Sequence, residues 1–262
     1  MPYEQILVEH FEAMPGLCRI SLNRPEVLNA LTAQLLSEIK EAMLAAKDNS
    51  EVRAIILTGS GRGFCAGADL SGSDAMRVGI KGMLDNYYHP AIEAIVNLPK
   101  PVIAAVNGPA AGAGMSLALA CDMRIMAKDA FMNTAFTRIG LTMDAGGSFF
   151  LPRLVGRGRA LELNYTARKI SAEEAAHLGL AEMIFPTEVF EHEVLNFGAK
   201  LAQGATAAFG HLKACVDASF TNTLSQHLAL EGEHQQAAGK SYDFKEGVAA
   251  FLEKRPAHFQ GK

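Results

Sequence analysis

Residues 102–119 read VIAAVNGPAAGAGMSLAL, and their order decides the fold. The apolar run Val102 to Val106 has the length and composition of a buried strand. Asn107-Gly108-Pro109 then turns the chain, and the small-residue segment that follows reads as a helix start. The same design occurs earlier: VRAIILT, Val52 to Thr58, ends at Gly59 and runs into GSGRGFCAGADL. A strand feeding a glycine loop and then a helix, twice over, points to an α/β protein.

Outward from this pair, Ile6 to His10 and Leu17 to Leu22 are expected strands around a turn at Pro15-Gly16. Within Thr32 to Lys47, Leu35, Leu36, Ile39, Met43 and Leu44 recur at helical intervals. A Met-rich helical segment leads up to Pro99. Met123 to Met126 and Phe131 to Met132 are short strands, and a further helix starts at Gly146. Beyond about residue 186 the strand pattern ends, and residues 188–203, 206–220 and 225–238 read as consecutive helices. Asp243, with Glu246 three residues on, is expected to cap a last helix, as Ser171 with Glu174 caps an earlier one. The chain thus divides into an α/β body, residues 1–186, and a helical C-terminal region, residues 187–262.

Composition narrows the function. The chain carries 24 Lys plus Arg against 28 Asp plus Glu, a formal charge of −4, which offers no surplus positive field for a nucleic acid. Apolar residues make up 49%, enough for a substantial core. Cys18, Cys65, Cys121 and Cys215 form no CxxC pair, so zinc and redox motifs are unsupported and no metal site is expected. The opening MPYEQILVEHFE lacks the basic and apolar regions of a signal peptide, and no stretch suits a membrane span. A soluble, cytoplasmic, globular protein is the expectation.

Glycine loops after strands have several uses. One alone can cradle a phosphate, and two brought together can aim two N–H donors at one oxygen. Equally, small residues can serve only tight turns and close packing. The dinucleotide form of such a loop belongs after the first strand, where this chain has NRPEVLNAL without glycine, so a nicotinamide cofactor is not expected.

Three segments taken together resemble the crotonase (enoyl-CoA hydratase/isomerase) superfamily in order and spacing: Asn23 to Leu31, Gly63 to Leu70, and Asn107 to Asp122. The tail, Glu246-Gly247-Val248 through Phe251-Leu252-Glu253-Lys254-Arg255-Pro256, is similar to that family's terminal helix. The resemblance spans essentially the whole chain. It implies a crotonase-like spiral of repeated ββα units, a helical C-terminal trimerisation region giving homotrimers or dimers of trimers, and an acyl-CoA thioester substrate. No separate cofactor is implied, because CoA is part of the substrate. Mapped here, the two oxyanion N–H groups belong to Ala68 and Ala113. CoA and substrate contacts fall to Glu26, Val27, Leu28, Ala66, Gly67, Asp69, Leu70 and Gly114, with Phe251 and Lys254 covering the nucleotide from the same or a neighbouring subunit.

The two glutamates with which the family's hydratases activate water correspond here to Ser116 and Phe136, neither of them a base. From Val102 to Leu161 the carboxylates are only Asp122, Asp129 and Asp144. Asp122 resembles a structural position and Asp129 lies in a polar turn. Asp144, flanked by apolar residues in LTMDAGG, is either a helix N-cap or a catalytic base, and the resemblance to superfamily isomerases and dehalogenases favours the base. The expectation is therefore an acyl-CoA isomerase. The supporting stretches are most similar to the isomerases of phenylacetate catabolism. A hydratase, hydrolase or dehalogenase using Asp144 is the enzyme alternative, and a non-catalytic acyl-CoA-binding subunit the other. Met76, Met83, Tyr87 and Tyr88 are candidates for lining the acyl pocket. His89 is expected at a surface or helix end, and Cys65 in packing. Arg153, Arg157 and Arg159 are expected in surface ion pairs or a subunit contact.

Overall fold

The computed structural model describes residues 3–71 and 74–262, without the side chains of 74–77, so the expected role of Met76 lies outside the description. In chain order, β1 (Ile6–His10) and β2 (Leu17–Leu22) precede a 3-10 turn at Pro25–Val27 and α1 (Ala33–Asp48). Next come β3 (Ala54–Gly59), α2 (Asp74–Met83), a π-helical turn at Leu84–Tyr88, and α3 (His89–Val96). The middle of the chain runs β4 (Val102–Val106), β5 (Ala110–Ala111), α4 (Ala113–Leu119), β6 (Met123–Ala127) and β7 (Phe131–Asn133). A 3-10 turn at Phe136–Ile139 leads to α5 (Gly147–Thr166), β8 (Ile170–Ser171), α6 (Ala172–Leu178) and β9 (Met183–Phe185). Four helices close the chain: α7 (Phe190–Ala202), α8 (Thr206–Ser219), α9 (Leu224–Ala238) and α10 (Tyr242–Glu253).

The main sheet has the order β1-β2-β3-β4-β6-β9. Only β1 and β2 pair antiparallel; every later neighbour is parallel. Parallel strands need both faces covered, and the continuous apolar runs of β3 and β4 supply that: all of β4 is buried. A small second sheet, β5-β7-β8, forms where the glycine loop after β4 returns. Helix α1 starts one residue later than its periodicity predicts, because Thr32 is the N-cap, its hydroxyl accepting from the Leu35 N–H at 3.0 Å.

Two expectations are corrected. The last helix opens at Ser241, whose hydroxyl accepts from the Phe244 N–H, and not at Asp243. Asp243 is buried in the first turn and holds the chain's end instead, accepting from Gln260 N at 2.6 Å and Gly261 N at 2.8 Å. Arg53 fastens the same strap by donating to the Phe259 carbonyl. The helical C-terminal region stays in contact with the body. Helix α7 packs on the sheet: Phe190, Val194 and Ala202 are buried in the main core, and Gly198 is bare where Ile56 and Leu17 press on it. The Ser171 hydroxyl caps α6 as expected, accepting from Glu174 N, but the Glu174 carboxylate turns to Arg168 and leaves the box half formed.

Replacing the Asp243 carboxylate should therefore release the C-terminal strap. Asp243→Ala is expected to lower unfolding free energy by ~1–3 kcal/mol, the range for removing a buried acceptor. Urea unfolding checks this; an unchanged midpoint would mean the strap adds nothing to stability.

Candidate active site

Because β3 and β4 are parallel neighbours, their glycine loops leave the sheet at the same edge, where open α/β sheets hold ligands. Backbone hydrogen bonds then lace them together. Phe64 N and Cys65 N both donate to the Pro109 carbonyl at 3.1 Å, and Ala111 N donates to the Cys65 carbonyl at 2.9 Å. The Asn107 side chain donates to the carbonyls of Gly59 (2.9 Å) and Gly61 (3.0 Å), and the Asn29 amide to Gly63 (2.8 Å). Glycine is required at two of these contacts. A Cβ on Gly114 would lie 2.3 Å from the Cys65 carbonyl oxygen, and one on Gly67, whose φ is +98°, would lie 2.8 Å from the Ala111 carbonyl oxygen. The position of that second Cβ is also only 3.5 Å from the Ala113 nitrogen, so the two loops meet at the two expected donors.

Ala68 is exposed, and among the described residues its N–H has no backbone acceptor, while both neighbouring carbonyl and amide groups pair with Leu31. Ala113 is the first residue of α4, so its N–H has no helical partner. It has no positive φ, and its amide is therefore as well formed as a glycine's would be. Two unengaged N–H groups thus flank one rim.

The expected CoA contacts divide. Glu26 and Val27 are exposed beside exposed Ala66, and Ala66 N donates to the Leu28 carbonyl at 2.9 Å, so these residues share the rim with Ala68. Asp69 is already engaged: its carboxylate pairs with Arg24 at 2.9 Å and accepts from Ser71, which hold it below the usual carboxylate range, and its N–H donates to Leu31. Leu70 is exposed. Gly114 serves the close approach to Cys65. Phe251 and Lys254 lie exposed at the end of α10, and among the described residues no hydrogen bond or ion pair ties them to the rim.

Of the three aspartates, Asp122 accepts from Val102 N and pairs with Lys213, both at 2.8 Å, and Asp129 accepts from the Thr187 hydroxyl. Asp144 alone is uncommitted. It does not cap α5; that position is Gly146, at φ 77°, following Ala145 in the left-handed region at φ 50°. These two residues turn the chain so sharply that Asp144 contributes only its backbone carbonyl, accepting from Gly147 N at 2.9 Å. Its Oδ1 is buried without a hydrogen-bond partner. Burial pushes its pKa up to about 6, with His89 pulling weakly the other way.

Met143, next in the chain to Asp144, is buried, as are Phe136, Tyr88 and Met83. Tyr88 faces the same carboxylate, which, after burial, raises the phenol's pKa. Ser116 Oγ is buried and unpartnered, packed against Gly147 and Met143: a Cβ on Gly147 would meet both at 2.4 Å. Cys65 is fully buried, its thiol pushed up to about 12 and donating to the Asn29 carbonyl, so it packs and is no nucleophile. Arg153 stacks on the Phe149 ring at 3.4 Å and Arg159 pairs with Glu162 at 3.1 Å. The sequence reading named Tyr88 only as a pocket candidate and did not link it to Asp144; the π-helical turn that holds it leaves no mark in the periodicity.

Comparison with known proteins follows this geometry. A family model described as Enoyl-CoA hydratase/isomerase matches residues 12–262. A probable enoyl-CoA hydratase of Rhodobacter capsulatus is 49% identical, covering 96% of this chain and 97% of that protein. The 1,2-epoxyphenylacetyl-CoA isomerase of Escherichia coli K12 is 38% identical over 98% and 99%. Among solved structures, an enoyl-CoA hydratase from Bacillus anthracis superposes with a TM-score of 0.93 at 36% identity, covering 99% of this chain and all of that one.

The buried carboxylate has a consequence for stability. Its pKa is about 6 when folded and 3.8 in the unstructured chain, so ionising it opposes folding increasingly between those values and fully above pH 6. Asp144→Asn should be more stable than the parent at pH 8, and the gap should close as pH falls towards about 4. Thermal unfolding across that range checks it; a gap independent of pH would contradict the assignment.

Proposed function

Because the chain belongs to the enoyl-CoA hydratase/isomerase family, we propose that it is an isomerase of acyl-CoA thioesters that moves a proton with one carboxylate, Asp144. That it acts as an enzyme on CoA thioesters follows from the family; the direction of its chemistry is the proposal. The observation that carries it is the buried, unpartnered Oδ1 of Asp144, with Ser116 and Phe136 standing in the sequence where two acids would be needed to activate water.

The mechanism runs as follows. The thioester carbonyl lies between the N–H groups of Ala68 and Ala113. Ionised Asp144 takes a proton from C2 of a 3-enoyl-CoA, and the C–H electron pair passes into an enolate. Two fixed donors stabilise that oxygen, each worth ~3–4 kcal/mol in a dry site. Asp144 then returns the proton to C4, giving the conjugated 2-enoyl-CoA. A pKa near 6 suits this work: the group is ionised at neutral pH yet basic enough to take a carbon-bound proton.

The rim at Glu26, Val27, Leu28 and Ala66 would take the CoA moiety. Its nucleotide would be covered by Phe251 and Lys254, exposed at the end of α10, of the same or a neighbouring copy. Exposed Leu212, Val216 and Phe220 on α8 border an apolar cavity of about 550 Å³ shared with Phe149 and Phe150, which supports a trimer or dimer of trimers closing over that face. Tyr87, Tyr88 and Met83 suit a flat acyl group, and the likeness to the Escherichia coli protein supports an aromatic epoxide, as in phenylacetate catabolism, as a second substrate. Among the described residues no helix is long and apolar enough to cross a membrane. Hydration is the second reading, favoured by the printed name of the Rhodobacter capsulatus relative.

Turnover of 3-enoyl-CoA, followed by ultraviolet absorbance and product mass, separates the readings. An isobaric 2-enoyl-CoA, lost by at least a hundredfold in Asp144→Ala, is expected. A product heavier by one water, in unchanged yield from the variant, would overturn the proposal.

A further inference from the structure

We propose that helix α9 is held to the body by a pH-sensitive latch, the proton shared between His211 of α8 and His234 of α9. Nδ1 of one ring lies 2.8 Å from Nδ1 of the other, while the ring centroids are 5.0 Å apart. The nitrogens therefore meet head to head between the rings. That is the geometry of a hydrogen bond and not of two lone pairs converging on a metal ion. One Nδ1–H donates, and the other Nδ1 accepts.

Little else holds α9. None of its residues is buried, and it packs chiefly against α8. Among the described residues the bond between His211 and His234 is the only side-chain hydrogen bond joining the two helices. Both histidines are partly exposed, so water can supply protons to the pair.

The two rings have room for one added proton. It enters on the second nitrogen of the donor ring and leaves the shared hydrogen bond in place, now charge-assisted. A further proton must go to the accepting Nδ1. The acceptor then becomes a donor, two N–H groups face each other, and two imidazolium charges stand one hydrogen-bond length apart. The bond is thus kept at neutral pH and lost on the acid side of the ordinary histidine value of about 6.5.

The other charged groups of the two helices are committed or exposed. On α9, Glu231 lies 3.4 Å from His227 Nε2, and Glu233 is exposed. On α8, Lys213 pairs with Asp122 at 2.8 Å, and exposed Asp217 lines the same apolar cavity as Lys213. Pro99, on which Gly210 of α8 rests, is followed by Lys100, whose ammonium donates to the carbonyls of Ala46 and Asn49. Among the described residues no ion pair reaches His211 or His234. Losing their bond frees α9 as a local unit. Helix α10 stays in place, because Asp243 accepts from Gln260 and Gly261 and Arg53 donates to the Phe259 carbonyl.

Hydrogen–deuterium exchange read by mass spectrometry tests the latch, with each rate corrected for the intrinsic effect of pH. In wild type, α9 peptides are expected to lose at least tenfold in protection between about pH 7.5 and about pH 5, while α1 keeps its protection. In the double variant His211→Gln with His234→Gln, the protection of α9, whether high or low, should be the same at both pH values. If α1 is unprotected in the double variant, His211→Gln alone takes its place, since it too leaves no pair of rings to share a proton. Constant α9 protection in wild type, or the same acid loss in the variant, would overturn the latch.

Discussion

The site depends on the hydrogen bonds that lace the two glycine loops together across β3 and β4. Pro109 accepts from Phe64 and Cys65, and Cys65 accepts from Ala111, so the two backbones run within one hydrogen bond of each other. A side chain at Gly67 or Gly114 would force them apart, since each added carbon would overlap a carbonyl oxygen of the opposite loop. This constraint links packing to chemistry: the same close approach that consumes the loops' carbonyls leaves the amides of Ala68 and Ala113 without partners. An oxyanion site made this way needs no reorganisation when charge develops, because its donors are already held by the fold.

The second half of the site works by exclusion. Asp122 and Asp129 are tied into local structure, whereas Asp144 follows a 3-10 turn and precedes two left-handed residues that prevent it from capping the helix. Apolar neighbours then keep water away from one of its oxygens. The raised pKa is thus a consequence of burial as much as of Asp144 itself, and polar replacements around it would retune the base without touching it.

Much of this was legible in the sequence, for identifiable reasons. Long apolar runs such as VIAAV and glycine clusters are local signals, so β3, β4 and the loop positions of Gly67 and Gly114 could be read directly. Asp144 stood out because nothing polar surrounds it. What escaped were features fixed by distant partners. The strands β5 and β8 are two residues long, too short for any period, and exist only because β7 lies between them. Asp243 looked like a cap, yet its carboxylate is claimed by residues seventeen and eighteen positions later. The burial of Tyr88 beside exposed His89 falls at a π-helical turn that a 3.6-residue template averages away. Resemblance alone supplied the roles of Phe251 and Lys254, which α10 presents to solvent.

The central claim is that one buried aspartate, ionising near neutrality, is the base. The dependence of kcat/KM on pH for the double-bond shift tests it most directly, because that profile reports the free enzyme's essential group. The account predicts activity rising with pH through an apparent pKa of about 6, set by Asp144, with this limb absent from the residual activity of Asp144→Asn. A limb near the ordinary carboxylate value, or one that persists unchanged in the variant, would contradict it.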